Sequence, residues 1–168
     1  MVINLLKYSL IFVVSVLLQV LIFNNILILR MIAPFFYILF ILLLPFDTPR
    51  ALLLFLSFLL GLLIDVFTNT PGVHASASLM IGFLRPGVLR LISPREMLDS
   101  VLAPRVENMG LNWFAGYATF MVVIHHFFLF FIEAFTFNDF LITLIRIVLS
   151  SVLSIVLIVL SQFLIFRK

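Results

Sequence analysis

Long apolar runs, each closed by a short polar or proline-bearing stretch, make up most of the chain. Residues 8–23 form the first run and stop at Asn24-Asn25. Residues 31–46 form a shorter second run bounded by Pro34 and Pro45. Further runs cover 50–67, 73–91, 111–134 and 138–165. A hydrocarbon core ~30 Å thick takes roughly 20 apolar residues in a helix. The pattern therefore predicts about six transmembrane helices. The second is marginal in length, which predicts a shallow seat or a locally thinned bilayer. Pro49 suits the first turn of the third helix. A lysine followed by an apolar run opens the chain as a signal peptide would. No small-x-small cleavage pattern follows, so the first run is read as an uncleaved span.

Composition agrees with this pattern. Hydrophobic residues make up 65% of the 168 positions and charged residues 10%, against about 45–50% and about 25% in soluble domains. The expected fold is a single all-α polytopic membrane domain over residues 1–168. No stretch outside the helices is long enough for a separate soluble domain. The net charge of +3 matters less than its distribution. With a cytoplasmic N-terminus, Lys7, Arg50, Arg85, Arg90, Arg95, Arg105, Arg167 and Lys168 share one side of the membrane; Arg30 and Arg146 fall on the other. The positive-inside rule then gives an N-in, C-in topology. Multi-pass residence in an inner, cytoplasmic-type membrane follows, with membrane lipid as a partner and no nucleic acid.

Between the fourth and fifth runs lies the one sizeable polar connection. Ser93-Pro94-Arg95-Glu96 reads as a capping box that starts a short helix over about 94–102. Met97, Leu98, Val101 and Leu102 share a face of it, which suits an amphipathic segment on the cytoplasmic leaflet. Two readings stand for it: a plain connector, or a docking surface for a cytoplasmic partner or anionic lipid. Trp113 and Tyr117 look like an aromatic interface anchor on that side.

The stretch Gly61–Pro86 carries most of the chemistry. A polar turn, Thr68-Asn69-Thr70-Pro71-Gly72, separates two runs, and Ala75, Ser76, Ala77, Ser78 and Gly82 follow it. Small residues let helix backbones approach closely in a membrane, so this hairpin is expected inside the bundle, away from lipid. Asp65, His125, His126, Glu133 and Arg146 lie within or at the edges of apolar runs, and His74 lies near the turn. An ionisable residue in a span is a functional-site hypothesis. At about 1.5 Å rise per residue, all of them fall toward the outer leaflet. Asp65 and Arg146 come out at similar depths, which predicts an ion pair inside the bundle; the alternative is that Asp65 accepts backbone hydrogen bonds around 68–74. The cluster is open to three readings: structural pairing, a proton or solute site, or the lining of a partner-binding groove. His125 and His126 are adjacent and point to different helix faces, so they cannot chelate one ion as an i, i+4 pair could. With no cysteine, no phosphate loop and no Ser-His-Asp spacing, no catalytic residue, metal or cofactor is expected.

The order Gly61, three residues, Asp65, five residues, Pro71-Gly72, then a run of small residues resembles the signature of the rod shape-determining protein MreD family. The family pattern places a Leu between the Pro and the Gly; here they are adjacent. The continuation FLRPGVLRLISPR, from Phe83 to Arg95 and including Arg85 and Pro86, resembles the same family. The likeness covers residues 51–96 and elsewhere rests on length and helix layout. It implies a non-enzymatic subunit of the complex that guides lateral cell-wall synthesis. Direct association with MreC is implied, and through the complex with the MreB filament and the peptidoglycan polymerase and transpeptidase. The candidate structural or partner residues are then Gly61, Asp65, Pro71, Gly72, His74, Arg85, Pro86 and Arg146. The family is similar in helix layout to the substrate-binding subunits of energy-coupling vitamin transporters. That similarity makes a small-molecule-binding subunit the alternative.

Overall fold

A computed structural model describes residues 2–26, 28, 31–93, 103–135 and 140–165. Its helices are α1 (Val2–Leu21), α2 (Ile38–Leu43), α3 (Arg50–Thr68), α4 (Val73–Ile92), α5 (Val106–Met109), α6 (Leu111–Ala134) and α7 (Phe140–Ile165). Five of them, α1 with the turn after it, α3, α4, α6 and α7, are long and apolar enough to cross a membrane. The chain is thus an all-α protein of membrane type. The proposed amphipathic helix over 94–102 lies outside the described residues, as does Arg95.

The helices pair mainly in sequence order: α3 with α4, α6 with α7, and α4 with α6 across the two pairs. Pro49 is the N-cap of α3, and its carbonyl accepts the Leu53 N–H at 2.9 Å. Apolar side chains fill the centre, with Leu60 and Ile64 of α3, Ala77 and Ile81 of α4, and Phe114, Met121 and Val122 of α6 all buried.

The second apolar run departs from expectation. Only Ile38–Leu43 is helical, and every residue from Phe35 to Leu44 is buried. Residues 31–46 therefore form no membrane-length helix facing lipid; they fill the bundle interior, with Pro34 and Pro45 flanking the short helix. Non-helical backbone at membrane depth requires partners from the protein itself. Here side chains supply them. The Ala33 and Phe35 N–H groups donate to the hydroxyls of Ser150 and Ser154 at 3.2 and 2.9 Å. Phe36 N–H donates to Gln19 Oε1 at 2.7 Å, and Gln19 Nε2 donates to the Pro34 carbonyl at 3.0 Å.

The α3–α4 hairpin also sits differently from its sequence reading. Its inner faces are packed, yet Phe55, Phe58, Leu62, Val66 and Phe67 of α3 and Phe83 of α4 are exposed. The small residues serve the contact between the two helices. A β-carbon on Gly61 would lie 2.3 Å from the His74 carbonyl oxygen and 2.5 Å from the Ala75 Cα. One on Gly82 would lie 2.4 Å from the Ser57 hydroxyl. Close approach of these two backbones is what the glycines permit.

Candidate functional site

The site is built on the end of α3 and the start of α4. Helix α3 stops at Asn69, whose backbone is left-handed with φ 56°, a conformation that Asn tolerates. Gly72 then takes φ 86° as the N-cap of α4. This reversal swings the first N–H groups of α4 back toward Asp65. The Asp65 carboxylate accepts the N–H of Gly72 at 3.1 Å, of His74 at 2.9 Å and of Ala75 at 2.9 Å. The Thr70 hydroxyl and His74 Nδ1 each lie 3.0 Å from its Oδ1. One acid on α3 thus performs the capping of α4 that Gly72, having no side chain, cannot. Orphan N–H groups and the positive end of the helix dipole both favour a carboxylate there.

Behind this cap lies a buried cluster of rings. Phe35 packs against His74, His126 and Phe130, with centroids 5.5, 5.2 and 5.9 Å away. His125 and His126 are both fully buried. They face different partners, as their adjacency predicts. His125 Nε2 meets the Tyr37 hydroxyl at 2.7 Å. His126 Nδ1 lies 2.8 Å from the Val122 carbonyl, which can only accept, so Nδ1 carries the proton. His126 Nε2 is then an acceptor, and the Ser154 hydroxyl donates to it at 3.1 Å while accepting the Phe35 N–H. On the other edge of its ring, His125 Nδ1 is buried with no hydrogen-bond partner.

Arg146 reaches only the Phe130 edge of this cluster and does not meet Asp65. Its guanidinium pairs with Glu133 at 3.3 Å and lies 4.6 Å over the Phe130 ring. Both groups of the pair are partly exposed. The expected Asp65–Arg146 ion pair is therefore absent. The physical reason is local: Asp65 finds five donors within the next ten residues, while Glu133 near the end of α6 meets Arg146 on α7. Glu133, seen at sequence level only as a residue at the edge of a run, is the acid that matters to Arg146.

Arg85 belongs to the opposite end of α4. It is buried, and its guanidinium donates to the carbonyls of Leu42, Leu44 and Pro45 and, through Nε, to the Tyr117 hydroxyl at 3.0 Å. A cation at the C-terminal carbonyls of α2 matches the dipole of that helix. Pro86 follows inside α4, and Pro71 lies in the turn. Tyr117 is an interior residue rather than an interface anchor. Trp113 is half-buried, stacks on Tyr117 with centroids 5.3 Å apart, and its indole N–H donates to the Ile92 carbonyl at 3.3 Å.

Gln19, Tyr37, Ser150 and Ser154 were not singled out by sequence. Their only signal there is a polar side chain inside an apolar run. Among the described residues no three His, Cys, Asp or Glu side chains converge to hold a metal ion. What the arrangement does is bind backbone: Asp65 the start of α4, Arg85 the end of α2, Gln19 and Ser154 the chain just before α2. No family model, curated protein or solved structure matches this chain.

Proposed function

We propose that this chain is a non-enzymatic membrane subunit of a bacterial cell-shape complex of the MreD type, seated in the inner membrane. In this reading it binds MreC and helps to position lateral peptidoglycan synthesis. Contact with the MreB filament and with the peptidoglycan polymerase and transpeptidase comes through the complex. One observation supports it most: the residues that carry the resemblance are spent on building one hairpin. Gly61 admits α4, Asp65 caps it, and Gly72 turns the chain. The hairpin then presents Phe55, Phe58, Leu62, Val66 and Phe83 outward, as a scaffold presents a surface.

Six crossings with both termini on the cytoplasmic side are part of this reading. The buried 31–45 segment makes the second crossing. Gln19, near the end of α1, holds its start, and Arg85, in the last two turns of α4, holds its end. Reporter fusions after Arg95 and at the C-terminus should both read cytoplasmic; a periplasmic reading after Arg95 would remove this topology.

The unpartnered His125 Nδ1 favours a second reading, a vitamin-type binding subunit of a transporter, because a buried polar atom calls for a partner. Affinity purification from detergent-solubilised membranes followed by mass spectrometry separates the two. MreC and wall synthases in the eluate support the cell-shape reading; transporter ATPase subunits support the other.

A further inference from the structure

We propose that Arg50 and Arg90 hold the headgroup of one anionic phospholipid, whose acyl chains lie along the seam between α3 and α4. Both arginines are exposed, and among the described residues neither makes an ion pair or a side-chain hydrogen bond. Asp47, three residues before Arg50, is exposed too and does not pair with it. Arg50 is the first residue of α3, the end at which a helix dipole disfavours a cation. The helix it starts therefore gives no reason for its charge. Arg90 lies in the last turn of α4.

Helix geometry sets the two side by side. Gly61 meets His74, and Ser57 meets Gly82, so α3 and α4 run antiparallel. At the second contact a β-carbon on Gly82 would lie 2.4 Å from the Ser57 hydroxyl. Arg50 precedes Ser57 by about two turns and so keeps the side of α3 that faces α4. Arg90 follows Gly82 by a little over two turns and lies on the flank of that contact. At about 1.5 Å per residue, they lie about 11 and 12 Å from the Ser57–Gly82 contact, at one level. That level is the end of the hairpin opposite to the Asp65 turn. Two cations there repel, and an anion between them removes the repulsion. An arginine fork grips phosphate oxygens in pairs.

The surface below them fits the rest of a lipid. Phe58 and Phe83 each follow a contact residue, Ser57 or Gly82, by one position. Equal steps on antiparallel neighbours turn toward the same side of the pair, and both rings are exposed. They lie about 11 Å deeper than the arginines by the same rise. The rings favour a lipid over a free anion or an acidic protein segment. The arginines select a headgroup with net negative charge. The site does not depend on the cell-shape reading.

The test uses the full-length protein, delipidated in a mild detergent and titrated with phosphatidylglycerol or phosphatidylcholine of identical acyl chains, read by native mass spectrometry. The wild type should retain phosphatidylglycerol in preference. Arg50→Gln and Arg90→Gln should each weaken its retention about fivefold, the usual effect of one basic residue near an anionic surface. Arg50→Lys and Arg90→Lys should keep most of it, which separates charge from folding. Phosphatidylglycerol with a photoreactive group at mid-chain should crosslink around Phe58 and Phe83. Equal retention of the two lipids would overturn the proposal, as would wild-type retention in the Arg50→Gln, Arg90→Gln double variant. Crosslinks confined to α1, α6 and α7 would do so as well. Displacement of the lipid by an equal concentration of inorganic phosphate would also overturn it, because the site would then read a free anion without chains.

Discussion

Asp65 on α3 holds the backbone N–H of Ala75 on α4 at 2.9 Å, and the same carboxylate holds two further N–H groups of that helix start. Removing it leaves three donors without their acceptor in a largely buried place. Each unsatisfied group costs about 1–3 kcal/mol, partly recovered where the turn can relax into water. Asp65→Ala should therefore lower thermal stability in detergent markedly. Asp65→Asn, which keeps one acceptor oxygen, should fall between. Arg146→Ala should add to Asp65→Ala with a coupling below about 0.5 kcal/mol, the behaviour of independent sites. A larger coupling would show that the two charges meet after all.

Gly61 and Gly82 differ in what they face. The neighbours of Gly61 are backbone atoms of His74 and Ala75, which cannot yield. Gly61→Ala should separate α3 from α4 and abolish accumulation of the protein. The neighbour of Gly82 is the Ser57 side chain. Gly82→Ala should be harmful alone and improved by Ser57→Gly. Expression level in membranes reads both, and failure of the rescue would mean that the clash is not what Gly82 avoids.

Gly72 is different again, because a β-carbon there meets nothing within 4 Å. The cost of substitution is the left-handed backbone alone, roughly 1–2 kcal/mol for an ordinary residue. Gly72→Asn should be close to wild type and Gly72→Val clearly worse in thermal denaturation. Equal losses for the two would point to a role of the glycine beyond its φ angle.

Arg85 is the cation at the end of α2. Arg85→Met keeps much of the volume but abandons the carbonyls of Leu42, Leu44 and Pro45. Each carbonyl left buried without its donor costs about 1–3 kcal/mol. Arg85→Met should lose most folded protein. Arg85→Lys, with a single point charge in place of the fork, should lose less, and Tyr117→Phe least, by about 1 kcal/mol. Size-exclusion profiles and melting curves rank the three.

Much of this was legible in the sequence because membrane-length apolar runs are a strong signal. The runs 111–134 and 73–91 coincide with α6 and α4 within one residue. The turn at 68–72 was legible for the same kind of reason: an acid, a proline and a glycine interrupt the pattern. What hydropathy could not show was that 31–46 is buried by protein, since an apolar run reads alike whether lipid or helices surround it. The Asp65–Arg146 pairing failed because equal depth says nothing about direction around a helix or about nearer donors. Arg85 and Tyr117 looked like membrane-edge residues by position. Their meeting depends on α4 packing against α6, which no local pattern encodes. Gln19 and Ser154 were visible as exceptions in their runs, but their partners are backbone groups of a segment whose shape the sequence left unstated.

That segment has a consequence for how the chain is made. The N–H groups of Ala33 and Phe35 find their acceptors on Ser150 and Ser154, 117 and 119 residues later. A ribosome that has just released residues 31–45 has not yet made the helix that completes their hydrogen bonding. Until α7 arrives, this stretch must remain with water, the insertion machinery or a chaperone, or adopt a different, more helical form. The second apolar run is thus among the first to be synthesised and the last to reach its final shape.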